Sequence, residues 1–536
     1  MKTASYWMGL VATLAFLTQA SGGVHVLAKE TLGEREVLIT PDYSRDKVID
    51  RVTCDFVQPI DLSKVWGFTF EVTADDMMAF RSFVVLLCTG NRSKPTGWYV
   101  YRPKLFTESG DGWFVMTLSR QPASLLDAPE GFDKITCFRF TGYLRSGKRP
   151  KEVKFRGFRL LDAAPRDVDV HVRTADSLDK VCAIPAKAGE RRLAWTHVET
   201  HGGEVPDWEA MAARAKRDGI TDLIPLLFWN GGAYFPSAVT DYRKDLVEKH
   251  GDQLAKCLAA CRRHGVKCHV WKVNYRLRGS KEMVARMRAE NRLQLVRPGG
   301  NMKKPLEVGE WLCPSDPRNL KLESDAMYEL AGKGVDGIHF DYIRHNGRTG
   351  CFCDGCRERF ERRIGRKVEN WPADVEPADA PLVKEWDEFR KDSISALVED
   401  VAKRVRRDFP KVEISAAVQS YDPSVTPPNA QDWPRWCREK WVDFVCPMDY
   451  TSIRFCLKNM VLPQKPVMDA TGVPIYPGIG VYSGRSRLDA LSAANQILLL
   501  RELGFAGYTF FSFRADTYPE FDALALGPMR PDVQHR

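Results

Sequence analysis

The sequence predicts an α/β chain: a (β/α)8 barrel preceded by an all-β sandwich of jelly-roll-like type. Three observations carry this. From residue 191 onward, eight short apolar runs alternate with helical stretches. No Gly-rich phosphate turn follows the first of those runs, as an open doubly wound sheet would normally require. Before residue 166, six aromatic and β-branched runs follow one another with turn residues between them, the pattern of a sandwich. At 536 residues the chain has room for a barrel of about 250 residues or more and a second unit.

The chain opens on residues 1–22, which read as a signal peptide. Lys2 supplies a positive charge, Trp7 to Leu17 is apolar, and Ala20 to Gly23 are small. A periplasmic or secreted mature chain is expected. The apolar run is too short to span a membrane comfortably, and no later segment is long enough. Hydrophobic residues make up 44% and charged residues 28%, as in a soluble globular protein. The net charge of +9 is spread among acids with no basic stripe, so nucleic acid is not an expected partner.

The sandwich is expected over residues 30–165. Its runs are VWGFTFEVTA (65–74), RSFVVLLCTG (81–90), GWYVYRP (97–103), GWFVMTLSR (112–120), DKITCFRFTGYL (133–144) and KFRGFRLLD (154–162). Trp98, Tyr99, Tyr101 and Trp113 are the residues with which such a module would stack on sugar. Aromatics also dominate small β cores, and a core role is the one expected of them. Residues 166–190 are polar and lack periodicity, and read as a linker.

The barrel is expected over residues 191–528. Strand 1 is RRLAWTHV (191–198), and its helix, PDWEAMAARAKRDG (206–219), ends on a glycine suited to a C-cap. Strand 2 is ITDLIPLLFW (220–229), followed by a helix at 252–265. Strand 3 is VKCHVWKVNY (266–275). After a long excursion, SDPRNLKLESDAMYELAGKG (315–334) begins with an N-cap and a first-turn proline. Strand 4 is VDGIHFDYIR (335–344). Gly337, His339 and Asp341 share one face of it, and Ile338, Phe340 and Tyr342 the other. Strands 5 to 8 are KVEISAAVQ (411–419), WVDFVCPMDYT (441–451), PIYPGIGVYS (474–483) and GFAGYTFFSFR (504–514). Helices at about 385–408, 431–440 and 486–503 separate them.

A barrel keeps its chemistry at the C-terminal ends of its strands. Those ends offer Trp195, His197 and Glu199; Trp229 and Asn230; Lys272 and Asn274; His339, Asp341 and Arg344; Gln419; Asp449 and Tyr450; Tyr476 and Tyr482; Ser512 and Arg514. Aromatic rings beside amides, cations and carboxylates suit a polyhydroxylated ligand, whose ring faces stack while its hydroxyls bond. Trp195, His197, Trp229, Lys272, Asn274, His339, Arg344, Gln419 and Tyr450 are therefore the expected substrate contacts. Glycoside chemistry needs two carboxylates, and Asp341 and Asp449 form the best pair. Met448 and Tyr450 share a face, however, so Asp449 points the other way unless the strand ends there. Glu199, Glu204 and Asp316 are reserves. Asp336 and Asp443 stand at strand beginnings, where structural roles are expected.

Of the 14 cysteines, Cys88, Cys257, Cys268 and Cys446 sit in apolar runs and read as buried thiols. The cluster CFCDGC places Cys351, Cys353 and Cys356 in the loop after strand 4. These can hold a structural zinc if a fourth ligand such as Cys313 joins them, form a disulfide, or stay free. No cofactor is required for the chemistry.

GDQLAKCLAACRRHGVKCHVWKVN, WLCPSDP, VDGIHFDYIR, CFCDGCRERF, DFVCPMDYT and YPGIGV resemble segments of the glycosyl-hydrolase-like family 10 barrels over about residues 191–515. The resemblance implies an exported barrel acting on carbohydrate, with Asp341 as leading catalytic residue. DGIHFDYI is also similar to the chitinase pattern DGxDxDxE. Here His339 takes the middle acid position and Ile343 the catalytic Glu position, so that mechanism lacks its acid. Acids on strands 4 and 6 are similar to those of α-galactosidase-type barrels, and the CxCxxC loop to the zinc loop of some β-galactosidases, both at the level of fold. The expected activity is retaining hydrolysis of O-glycosidic bonds. The competing expectation is a non-catalytic glycan-binding protein on a degenerate barrel.

Overall fold

In the computed structural model the described residues are 25–26, 37–40, 49–91, 94–101, 106–109, 113–122, 124–144, 149–163, 175–198, 204–229, 231–277, 280–298, 302–420, 429–452 and 454–531. The leader at 1–22 lies outside them. The chain divides into two compact units, Met1–Arg173 and Thr174–Arg536. No helix among the described residues is long and apolar enough to cross a membrane.

The first unit is built from two antiparallel sheets. One orders His25–Val26, Val37–Thr40, Val153–Leu161, Gly67–Ala74, Trp113–Ser119 and Phe106–Ser109. The other orders Ile49–Ile60, Ile135–Leu144, Phe80–Asn91, Lys94–Tyr101 and Ser124–Asp127. Period-2 alternation puts rings between the sheets: Phe70 meets Phe138 edge-on at 5.3 Å, and Phe140 meets Phe155 at 4.8 Å. Tyr99, Tyr101 and Trp113 are buried, which is the core role expected of them. Trp98 is half-buried beneath the Arg139 guanidinium, 4.4 Å from its ring centre.

The second unit is the barrel. Its strands are β1 (Arg191–His197), β2 (Asp222–Trp229), β3 (Lys267–Val273), β4 (Gly337–Asp341), β5 (Glu413–Val418), β6 (Phe444–Pro447), β7 (Gly478–Ile479) and β8 (Gly507–Phe511). They pair in parallel in the order β6-β5-β4-β3-β2-β1-β8-β7. A bridge between Val445 and Ile475 joins the two ends of that row. β7 is much shorter than the expected run 474–483. Pro474 and Pro477 remove backbone donors, and at Gly478 an added Cβ would stand 2.8 Å from the Tyr450 ring. The helix Ala175–Cys182 forms within the stretch read as a linker, and its Val181 joins the core between strands and helices.

Helices begin where the sequence places caps. Asp207 accepts from the Ala210 N–H ahead of α1 (Trp208–Arg217), and Asp252 from the Ala255 N–H ahead of α2 (Gln253–His264). α2 ends at Gly265, whose φ of 64° is the left-handed cap conformation. Asp316 caps α3 (Pro317–Ala331), followed by α4 (Asp354–Ile364) and α5 (Val383–Asp408).

The axis beneath the mouth is filled in layers. At the base, Arg191 bonds Asp222 at 2.6 Å and Glu413 at 2.7 Å, and His269 Nε2 lies 3.0 Å from Asp222. Burial alone would raise Asp222, but bonds from His269 and Arg191 hold it well below the usual carboxylate range. The His269 ring occupies the space beside Gly337, where a Cβ would come within 2.0 Å of its Nδ1. That crowding is why strand 4 carries glycine at its start. Above this layer the Trp195 indole N–H donates to His339 Nε2 at 3.1 Å. With Nε2 accepting, the proton sits on Nδ1, which faces Ser415 Oγ at 2.9 Å. Burial drives His339 well below its ordinary pKa, so the ring is neutral.

Gly337→Ala is expected to cost about 1–3 kcal/mol through overpacking against His269. The urea midpoint of the variant against the parent checks it, and an unchanged midpoint would remove the argument for the basal layer.

Candidate functional site

β4 sets Asp341 at the top of the axis, 4% exposed. The chain then turns through Tyr342 in the left-handed region, φ 52°. This conformation is costly for a bulky side chain. It brings the Tyr342 N–H onto Asp341 Oδ1 at 2.6 Å. The Trp271 indole N–H donates to Oδ2 at 3.1 Å, and Arg344 Nη1 stands 3.4 Å from Oδ1. Both carboxylate oxygens are therefore held. Burial raises the Asp341 pKa, and Arg344 is the leading opposing influence.

Rings wall this carboxylate. His197 lies 5.3 Å from Trp271 and 5.7 Å from Phe511, and Tyr450 lies 5.1 Å from Phe511. Trp311 packs on Tyr342 at 5.5 Å. The Arg276 guanidinium lies 5.4 Å from the Trp229 ring and 5.0 Å from that of Tyr342. These rings are half-buried, apart from the more deeply set Trp271. Burial, then Arg514, pushes His197 down to about 4, so it is uncharged at neutral pH.

The expected contacts divide. His197, Trp229, Arg344 and Tyr450 gather around or beside Asp341. Trp229 arrives there through a bulge: Leu226 pairs with Trp271 but Phe228 with Lys272, which shifts the alternation by one residue. Gln419 is half-buried at the end of β5, its backbone N–H donating to Gln431 Oε1 at 2.6 Å. Four expectations are corrected. Trp195 and His339 sit in the layer below the mouth, bonded to each other and 1% and 0% exposed, so neither meets a ligand from outside. Lys272 and Asn274 point behind the wall. Both bond Glu323 of α3, at 2.5 and 2.7 Å, and the Lys272 ammonium also lies 4.5 Å from the Phe228 ring centre. They fasten a helix to a strand. Glu199 and Asn230 lie outside the described residues. Asp316 serves as a cap; Asp336 accepts from the Cys268 N–H, and Asp443 from the Ile414 N–H, structural roles as expected at strand beginnings.

Asp449 is completely buried, its Oδ1 accepting from Gln464 Nε2 at 2.9 Å. No bond joins it to Asp341. The Tyr450 phenol is the neighbour the two share: burial raises it well above its ordinary range, then the charge of Asp341, with Asp449 a lesser influence. Burial pushes Asp449 itself up to about 6, against weaker opposing bonds from Ser420 and Gln464. Trp271, Arg276, Trp311, Tyr342 and Phe511 were not singled out by sequence reasoning. For Trp271 a signal exists in the alternation of β3, where His269, Trp271 and Val273 share one face.

Among the described residues, three groups have the composition of metal ligands: Cys313, Cys351, Cys353 and Cys356; Cys257, Cys261 and Cys268; and Asp222, His269 and Glu413. The Arg191 guanidinium already bonds both acids of the last. The second is a buried trio shared by α2 and β3, with Cys257 Sγ 4.0 Å from each of the others.

A model of the family Glycosyl hydrolase-like 10 matches residues 209–486. An S-layer-related protein of Niallia circulans is 32% identical over 105 residues, a stretch covering 17% of this chain and only 6% of that protein. Among solved structures, the PgaB (BpsB) glycoside hydrolase domain from Bordetella bronchiseptica is similar at 18% identity and a TM-score of 0.46, over 62% of this chain and 97% of that one. The catalytic domain of a β-amylase from Paenibacillus polymyxa is similar at 10% identity and a TM-score of 0.43, over 61% and 93%. A β-galactosidase from Rahnella sp. R3 is similar at 13% identity and a TM-score of 0.46, over 64% and 57%.

The Asp449 carboxyl gives a signed pH dependence. Its pKa rises from 3.8 to about 6 on folding, so it favours the native state fully below about pH 4, and this is lost as pH rises through 6. Relative to Asp449→Asn, the parent should lose roughly 2 kcal/mol between pH 4 and 7. Parallel urea curves at the two pH values measure this; a constant difference would contradict it.

Proposed function

Because the chain belongs to the glycosyl hydrolase-like 10 family, we propose that it is an exported glycoside hydrolase that cleaves O-glycosidic bonds in a poly- or oligosaccharide. The observation that carries this reading is the Asp341 carboxyl, held on both oxygens at the base of a mouth walled by half-buried rings. Stacked rings recognise the apolar faces of pyranosides, and Arg276, Arg344 and Arg514 offer donors to their hydroxyls. The leader-like residues 1–22 and the similarity to an S-layer-related protein support export.

In the proposed retaining reaction Asp341 attacks the anomeric carbon as the leaving oxygen departs. The indole N–H of Trp271 and the amide of Tyr342 hold it in line and share its charge. Asp449, a carboxylic acid up to about pH 6, supplies the proton to the leaving oxygen and later takes one from water. The Tyr450 phenol lies in the field of both carboxylates. Carboxyl groups about 5–5.5 Å apart in the working complex give retention, and about 6.5–9.5 Å give inversion. NMR of the first-formed anomer decides between them.

A second reading is favoured by one observation, the enclosure of Asp449 against Gln464. It makes Asp449 a structural acid and the chain a glycan-binding protein without turnover. A glycan panel scored for binding and for cleavage separates the two readings.

Asp341→Asn should lower cleavage by about 10²–10⁴-fold while leaving thermal unfolding unchanged. Cleavage at the parental rate would end the assignment. Arg344→Gln removes the leading influence that lowers the Asp341 pKa, so the acid limb of kcat/KM should move to higher pH. A limb that stays in place would mean that Asp341 does not titrate in catalysis. Loss of the basic limb in Asp449→Asn would support its role as the acid, and a profile with both limbs intact would sink it.

A further inference from the structure

We propose that Cys313, Cys351, Cys353 and Cys356 bind one zinc ion as a closed tetrahedral thiolate site. The four sulfurs lie within 4.8 Å of one another, with Cys313 Sγ 3.3 Å from Cys356 and 3.8 Å from Cys353. A tetrahedral ion with Zn–S bonds of about 2.3 Å requires sulfurs about 3.8 Å apart, inside this range. Covalent disulfides need about 2.05 Å. Three of the thiols are buried and Cys353 is half-buried. Apolar groups that include Phe352, Phe360, Val368 and Trp386 surround the cluster, so water has little access to the metal position. A site with four protein ligands and no open position is structural, not catalytic.

The surroundings suit four thiolates. Zn²⁺ with four thiolates carries two net negative charges, and binding releases four protons from the thiols. The Arg359 guanidinium stands against the cluster, its Nη2 4.0 Å from Cys313 Sγ. Arg359 Nε donates to Ser315 Oγ at 3.1 Å, and that hydroxyl lies 3.1 Å from Cys356 Sγ and 3.4 Å from Cys313 Sγ. Cys353 is the N-cap of α4 and Cys356 lies in its first turn, so two sulfurs meet the positive end of a helix.

The ion would join parts of the chain that are distant in sequence. Cys313 precedes α3 and follows the hairpin Leu293–Val296 and Glu307–Leu312, while the other three ligands end the loop that leaves Asp341. Trp311, which packs on Tyr342 at the mouth, is two residues from Cys313. The metal would therefore set one wall of the mouth without touching substrate, and the inference stands whether or not the chain cleaves glycans.

The test is the metal content of the full-length protein, purified without chelator, by elemental analysis and native mass spectrometry. One zinc per chain is expected, with cobalt substitution giving the absorption of a tetrahedral thiolate complex. Cys313→Ser and Cys353→Ser should each lose the ion. Arg359→Gln, which keeps every ligand, should weaken zinc binding by about 10–100-fold in a chelator competition. Cys257→Ala should keep the metal. Zinc that leaves with Cys257→Ala and stays with Cys353→Ser would overturn the proposal. A metal-free chain with disulfides in its denatured, unreduced mass would also overturn it, as would a reduced chain that takes up no added zinc.

Discussion

A closed ring of eight strands leaves an axis that side chains must fill, and everything at the mouth rests on how this chain fills it. The base is polar. Arg191 meets Asp222 and Glu413, and His269 bonds Asp222 from the third strand. Four strands are thus tied at one level by buried and half-buried polar groups that would be costly if any partner were missing. Above them the Trp195, His339 and Ser415 chain is neutral and internally satisfied. Above these two layers the axis carries the buried carboxylate of Asp341. Asp341 takes the top of the axis because the positions beneath it on β4, His339 and Gly337, are already committed.

A second buried charge pair does the equivalent work outside the ring. Lys272 and Glu323 are almost completely buried and bond at 2.5 Å, with Asn274 sharing the carboxylate. Such a pair contributes little net stability compared with apolar residues of the same volume, but loss of one partner strands the other. Its effect here is registration. It fixes α3 against β3, and the backbone N–H of Asn274 reaches the carbonyl of Asp341 at 2.8 Å. The helix that Asp316 caps is thereby held close to the catalytic candidate without supplying any group to it.

The barrel and its strand order were legible because alternating apolar runs and helix caps are local signals. β4 was read correctly: Gly337, His339 and Asp341 do share the inner face. β3 was read one residue out of phase. Lys272 and Asn274 look like ligand-binding groups by composition, yet alternation puts Trp271 and Val273 inside, and a slip of one residue exchanges the two faces. Trp229 reached the mouth for a reason not visible in sequence, the bulge after Leu226. Alternation separates Tyr450, packed on Phe511, from Asp449, enclosed against Gln464. Their neighbours Gln464 and Phe511 come from distant parts of the chain, where spacing carries no information. Cys313 was named as a possible fourth thiol, and the fold places its sulfur beside the other three.

The ring is not equally strong all the way round. Between β3 and β4 five residue pairs are in register, whereas β6 and the seventh strand region meet through the single bridge at Val445 and Ile475, supported by backbone bonds from Val445 to Pro474 and from Tyr476 to Val445. Free energy for local opening follows such hydrogen-bond density. Asp341 stands on the stiff arc; Asp449 and Tyr450 follow the strand that borders the seam. A rim built this way combines a fixed anvil with a compliant jaw. Local opening at the seam would move Asp449 and Tyr450 while the Trp271 and Tyr342 bonds keep Asp341 in place.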